Sequence, residues 1–274
     1  MNTNLDILIE QLDEYKKRLS STDYIHEKPK FFKIMKEFTN FLSTYPMDKL
    51  PDWFDKSDYF KDNFEFFNKN NIYFERALEA KESINILWGN KRNKESWALS
   101  FLDADYIREE YTRKWNDIRD LDMTGWKNLV MVWCGPFPET ILYIYENTPI
   151  KKVIWVDYNS EAIFLAGEII RFLGITDILL KYQDWCKYDY SDADIVYVAS
   201  FVNLKKEIVN QVLKTWKKDV QILIRNNIWL NRIRFKNLNL EEIPEELEVT
   251  SIISNEWKYH TTQMIKLERK DRFE

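Results

Sequence analysis

The segment Trp133-Cys134-Gly135-Pro136-Phe137-Pro138-Glu139-Thr140 closes an apolar run and holds one glycine ahead of two stiffening prolines. Gly135 is the position there that takes a positive φ without penalty, so bare backbone can approach a ligand closely. The spacing is neither G-x-G-x-x-G nor a phosphate-cradling loop, so a pyrophosphate is not the expected guest. About 22 residues further on, a second apolar run ends in Val156-Asp157-Tyr158-Asn159. An acid at that distance accepts hydrogen bonds from a ribose, with capping of a helix near Ser160 as its competing role. A third run leads into Gln183-Asp184-Trp185-Cys186. There Asp184 can receive an adenine amino group and Trp185 can pack on the purine face; a solvated loop carboxylate is the alternative. Small residues, Ala199 and Ser200, follow the fourth run, where a reacting group would lie over the sheet edge. Together these features suggest a nucleoside ligand without a pyrophosphate, such as S-adenosylmethionine.

Two textures position those residues. Apolar positions at Leu5, Leu8, Ile9, Leu12, Tyr15 and Leu19, and again at Phe31, Ile34, Met35, Phe38, Leu42 and Tyr45, follow the period of amphipathic helices. Pro46 and Pro51 break the chain, and helical stretches are predicted near 59–68, 72–88 and 104–119. Residues 1–125 therefore read as an all-helical N-terminal domain, joined through Leu121 to Lys127. From 126 to 274 short apolar runs alternate with helix-length segments. The runs are Leu129–Trp133, Val153–Val156, Ile178–Tyr182, Ile195–Ala199 and Val220–Ile224, and the helices fall at about 139–146, 160–173 and 205–216. Runs buried on both faces belong to parallel strands. Val249–Ser254 and Gln263–Leu267 complete the pattern as an antiparallel pair at one edge. The fold class is α/β, a class I methyltransferase-like (Rossmann-like) domain preceded by a helical one.

Composition excludes several functions. The 274 residues carry 40 Lys+Arg against 45 Asp+Glu, a formal charge of −5, so a global basic field for nucleic acid is absent. Only 2 His and 2 Cys occur, far from any zinc spacing, so no metal site is expected. No run reaches the length of a membrane span, and no basic-then-apolar leader opens the chain, which predicts a cytoplasmic protein without membrane partners. Aromatic residues make up 16% and are read as core filling.

Cys134-Gly135-Pro136-Phe137-Pro138-Glu139-Thr140 resembles the Ser-Gly-Pro-Leu-Pro-x-Thr turn of nicotianamine synthases, including the bacterial enzymes that build opine metallophores such as staphylopine. Ala199 to Leu204, the helix to Trp216 and the strand Ile222–Ile224 with Arg225 look like the later half of that family. Glu75-Arg76-Ala77-Leu78-Glu79-Ala80-Lys81-Glu82 is similar to its glutamate-bearing helix, and Phe101 to Tyr106 to its aromatic segment. The likeness spans roughly residues 70–235. It implies S-adenosylmethionine as co-substrate, transfer of an aminocarboxypropyl (2-aminobutanoyl) group to the amine of a small amino acid or amine, release of methylthioadenosine, and a place in metallophore or natural-product synthesis. A protonated amine cannot attack, and a carboxylate in a partly dry cavity is the natural base. The resemblance gives that role to Glu79, with Tyr106 orienting the amine and Glu82 as a neighbouring substrate contact. It gives Cys134, Gly135, Pro136, Thr140, Asp157, Tyr158, Asp184, Trp185, Ala199 and Ser200 to the S-adenosyl group. Arg225 is expected to hold a substrate carboxylate through its planar fork or to pair structurally. A homodimer is compatible with such helical caps.

One departure stands out, because Trp133 occupies the place of a glycine in that family's turn. The indole must point away from the ligand or reshape the methionyl pocket. Three alternatives to the transfer therefore stay open: methyl transfer from the same site, an intramolecular closure to azetidine-2-carboxylate, and a binding subunit that kept the fold without the chemistry.

Overall fold

The computed structural model describes residues 4–46, 50, 53–89, 128–133, 135–150, 152–216, 220–257 and 260–270. The stretch expected to be helical over 104–119, the join Leu121 to Lys127, and the candidate residues Tyr106 and Cys134 lie outside them.

Helix α1 (Asn4–Ser20) buries Leu8, Leu12 and Leu19, and α2 (Lys28–Thr44), entered through Pro29 in its first turn, buries Phe31, Ile34, Met35, Phe38 and Leu42. The 3-4 spacing of those residues lets the two helices share one apolar seam. Helix α3 (Asp58–Gly89) is one continuous element of 32 residues where two stretches were predicted. Phe67 of α3 stacks on Phe38 with ring centroids 4.9 Å apart. Leu230 and Ile233, from the 3-10 turn Trp229–Ile233 of the later half, close this aromatic core from below.

The sheet follows the apolar runs. Strands β1 (Asn128–Val132), β2 (Lys152–Asp157), β3 (Ile178–Tyr182), β4 (Ile195–Val198) and β5 (Gln221–Asn227) are parallel, and β6 (Leu247–Trp257) and β7 (His260–Arg269) are antiparallel. The order is β3-β2-β1-β4-β5-β7-β6, so β7 lies beside β5 and β6 takes the edge. The chain order reverses between β1 and β4, which is where an open parallel sheet leaves a crevice at its carboxyl ends. β1, β2, β4 and β5 are almost wholly buried, whereas β3, an outer strand, buries Ile178 and is otherwise exposed or half-buried.

Helices α4 (Glu139–Asn147), α5 (Ser160–Leu173) and α6 (Lys205–Thr215) link the strands. α5 shows why its boundaries are legible: Asn159 caps its first turn by accepting from Glu161 N and Ala162 N, and Gly174 ends it at φ 70. Among the described residues no helix is long and apolar enough to cross a membrane.

Candidate functional site

Helix α3 carries an unusual stripe. Asn68, Asn71, Glu75, Glu79 and Ser83 recur at spacings of three and four, which sets them on one face, and Asn68, Asn71 and Ser83 are buried. That face meets the sheet half. Asn68 donates to Arg234 O at 2.6 Å and accepts from Asn203 at 2.7 Å, so the loop after β4 is tied to the helix. Arg234, 2% exposed, donates to Thr39 Oγ1 at 3.0 Å, Asn71 Oδ1 at 3.2 Å and Asn231 Oδ1 at 2.6 Å, with Glu75 3.9 Å away. Burial pushes the guanidinium down to about 10, and the Glu75 charge works against that push.

The stripe ends at the turn after β1. Ser83 Oγ donates to Pro136 O at 2.9 Å within buried surroundings, and this bond fixes the Gly-Pro turn against α3. Gly135 sits at φ 67, and a Cβ built there would lie 2.7 Å from Glu79 Cδ. The Glu79 side chain therefore rests on the bare Cα, and no larger residue fits. At the same strand end Trp133 takes φ 58, a conformation that glycine alone adopts freely. Its N–H donates to Val156 O at 3.2 Å and its indole is 5% exposed. Rings gathered from three other strand ends surround it: Tyr158 after β2 at 6.2 Å, Trp185 after β3 at 5.7 Å and Phe201 after β4 at 6.1 Å. Arg76 of α3 places its guanidinium carbon 4.3 Å from the centroid of Trp133 and donates to Tyr158 Oη at 3.0 Å.

A seven-stranded sheet of this order with a long helix before it has counterparts among solved structures. The chain has the nicotianamine synthase fold. It superposes on MtNAS in complex with MTA and tNA with a TM-score of 0.79 at 14% identity, covering 96% of this chain and 98% of that one. A glutamate-to-glutamine variant of MtNAS in complex with S-adenosylmethionine gives 0.74 at 13% identity over the same shares. A geranyl diphosphate C-methyltransferase from Streptomyces coelicolor A3(2) is more distant, at 0.52 and 11% identity over 78% of this chain and 98% of that one. No protein-family model and no curated protein matches the sequence.

Within this nicotianamine synthase fold the candidate residues fall into three groups. Glu79, Gly135 and Pro136 come together at the β1 turn, and Thr140 is half-buried in the first turn of α4. Asp157, 1% exposed, ends β2, and its Oδ1 accepts Asn159 N at 2.9 Å. It shapes the turn, and the helix cap considered for it belongs to Asn159 instead. Trp185, Ala199 and Ser200 are buried at the ends of β3 and β4, while Tyr158 is 46% exposed.

Three further candidates have these surroundings. Glu82 is exposed, because the register that puts positions 79 and 83 on the turn rotates 82 away from it. Asp184 is exposed, accepts Cys186 N at 3.0 Å and pairs with Lys187 at 3.3 Å, the arrangement of a solvated loop carboxylate. Arg225 is buried within β5, with its guanidinium carbon 5.5 Å from the Tyr197 ring and its backbone in register with Met264 of β7. Local sequence pattern gives no role to Arg76, Ser83, Lys205 or Arg234. The polar 3-4 stripe on α3 is the signal that would have found Ser83 and the partners of Arg234.

Lys205, the first residue of α6, is fully buried and donates to Ser200 O and Val202 O at 2.9 Å and to Lys236 O at 2.6 Å. It gathers the loop after β4 around one ammonium group. Burial, with a smaller push from the Lys236 charge, lowers it to about 7.

Proposed function

We propose that this chain is an S-adenosylmethionine-dependent transferase of the nicotianamine synthase type, which moves an aminocarboxypropyl group onto the amine of a small amino acid or amine. The observation that carries the reading is the carboxylate of Glu79 resting on Gly135 at the topological switch of the sheet. The structural likeness to MtNAS, crystallised with S-adenosylmethionine and with MTA and tNA, supports it.

The residues present fit an S-adenosyl group in their polar parts. Asp157 is a buried carboxylate at the end of β2, where a ribose would be held, and Trp185 and Tyr158 offer ring faces beside it. Gly135 and Pro136 present backbone without an intervening Cβ. When bound, S-adenosylmethionine supplies a sulfonium-activated γ-carbon, and methylthioadenosine is what remains after transfer. The chain's own part is to hold the acceptor and manage its proton. Glu79, fixed by its seat on Gly135 and by the Ser83 to Pro136 bond, takes the proton from the acceptor ammonium at a carboxylate oxygen, leaving the nitrogen lone pair free. Position is the larger contribution, because the helix and the turn are locked before any ligand arrives.

The test is incubation with S-adenosylmethionine and a panel of amino acids, read by mass spectrometry for methylthioadenosine and a gain of one aminobutanoyl unit. Glu79→Gln is expected to lower transfer at least about 100-fold, in the range of lost general-base catalysis, and to leave nucleoside affinity nearly unchanged. Unchanged turnover removes Glu79 from the mechanism, and S-adenosylhomocysteine as the product selects methyl transfer.

A second reading has its own observation. The buried indole of Trp133 bridges rings from the nucleoside side and the methionyl side of the crevice, as a binding subunit without the chemistry would allow. Calorimetry separates the two: under this reading the native chain binds no S-adenosylmethionine and Trp133→Gly does.

A further inference from the structure

We propose that the Trp133 face covered by Arg76 is a cation seat, which the sulfonium of an S-adenosyl ligand takes in place of the guanidinium. The inference rests on the S-adenosyl reading above and adds to it a residue that sets which ligands the site prefers.

Trp133 holds a backbone conformation that is unfavourable for every residue but glycine, and it is held there on several sides. Its N–H is bonded to Val156 O. Phe201 lies nearly parallel to the indole at 22°, Trp185 is tilted against it at 35°, and Tyr158 meets it edge-on at 75°. Arg76 supplies the cation: its guanidinium carbon is 4.3 Å from the Trp133 centroid and 5.6 Å from that of Tyr158, and Nη2 donates to the Tyr158 hydroxyl.

Two aromatic rings thus flank one positive group at the carboxyl ends of β1 and β2. The attraction comes from the ring quadrupole and is indifferent to whether the cation is nitrogen- or sulfur-centred. Arg76 precedes Glu79 by three residues on α3, so the seat and the carboxylate share one side of the helix. Arg76 is also only half-buried on a long flexible stem, so it can yield the seat to solvent without unfolding anything. Two cations cannot share the place, and a sulfonium must displace the guanidinium to sit there.

Calorimetry with three ligands tests this: S-adenosylmethionine, S-adenosylhomocysteine, which lacks only the methyl and the charge, and methylthioadenosine, which carries the nucleoside alone. Arg76→Met, with the guanidinium removed, is expected to prefer the sulfonium over the neutral thioether about tenfold, the size of a desolvated cation–aromatic contact, and the native chain by less, since its guanidinium must leave first. Trp133→Leu should erase that preference while changing methylthioadenosine affinity less than about threefold, and Trp133→Phe should restore it. Arg76→Met should tighten S-adenosylmethionine more than S-adenosylhomocysteine. Thermal unfolding of each variant verifies the fold. Equal weakening of both S-adenosyl ligands by Trp133→Leu overturns the seat and makes the indole mere packing; equal tightening of all three makes it a plug and overturns it too. If neither the native chain nor Trp133→Gly binds any of the three, the S-adenosyl reading itself fails, and the seat with it.

Discussion

At Gly135 two demands fall on one atom. The backbone is left-handed at φ 67, and the space where a Cβ would go is filled by Glu79. Alanine there meets both the conformational cost, about 1–2 kcal/mol, and a collision that pushes the carboxylate off the turn. Gly135→Ala is expected to lower stability by about 2 kcal/mol or more in denaturant titration and to abolish transfer. Adding Glu79→Ala should recover the steric part of the stability loss and none of the activity, a non-additivity that a double-mutant cycle reads directly. Gly135 was legible because a lone glycine between a strand and two prolines has few other reasons to exist. Trp133 was only half legible: its type stands in the sequence, yet nothing local announces a positive φ in a bulky residue, since rings from three other strand ends hold it there.

Among the elements, the strands were readable because their apolar runs are buried on both faces, and the predicted edge pair takes its place beside β5. Helix α3 was harder to read. Asn68, Asn70 and Asn71 are weak helix formers and divide the sequence pattern into two stretches. In the fold, Asn68 pairs with Asn203 and Arg234, Asn71 accepts from Arg234, and Asn70 returns its amide to Phe66 O, so the helix runs through. Lys205 shows the same logic at the start of α6, with its three donors shared among three carbonyls. Replacing it by methionine leaves those carbonyls buried without their donor and is expected to cost about 2–4 kcal/mol at neutral pH. Its lowered value of about 7 has a sign. Between there and the ordinary lysine range near 10.5 the unfolded chain binds more protons than the folded one, so this lysine's contribution to stability grows as pH rises through that window. Below about 7 both states are charged and the full burial penalty applies. The native chain should gain on Lys205→Met by up to about 1.4 kcal/mol per pH unit across the window, measured by denaturant unfolding at several pH values.

Among the described residues the molecule has two cores, and a polar seam helps to join them. The aromatic core of the helical half and the aliphatic core around the sheet are distinct clusters, and the seam between them is the α3 stripe with Arg234 at its centre. Sequence patterning found both cores, but the seam joins Thr39, Asn71 and Glu75 to a residue more than 150 positions away, a pairing no local pattern encodes. Removing the guanidinium strands its buried partners, so Arg234→Met is expected to cost about 3–5 kcal/mol. It should also split a single calorimetric transition into two; one undivided transition in the variant would mean the halves are coupled elsewhere. The continuity of α3 has one more consequence. The stripe from Asn68 to Ser83 works as a gauge, since each residue advances the axis 1.5 Å and rotates it about 100°. One residue inserted between Asn71 and Glu79 would leave the first half of the stripe in place and turn the carboxylate away from Gly135. The count between those two side chains is therefore fixed more tightly than their neighbours' identities, and descendants of this chain can vary the composition of that span far more freely than its length.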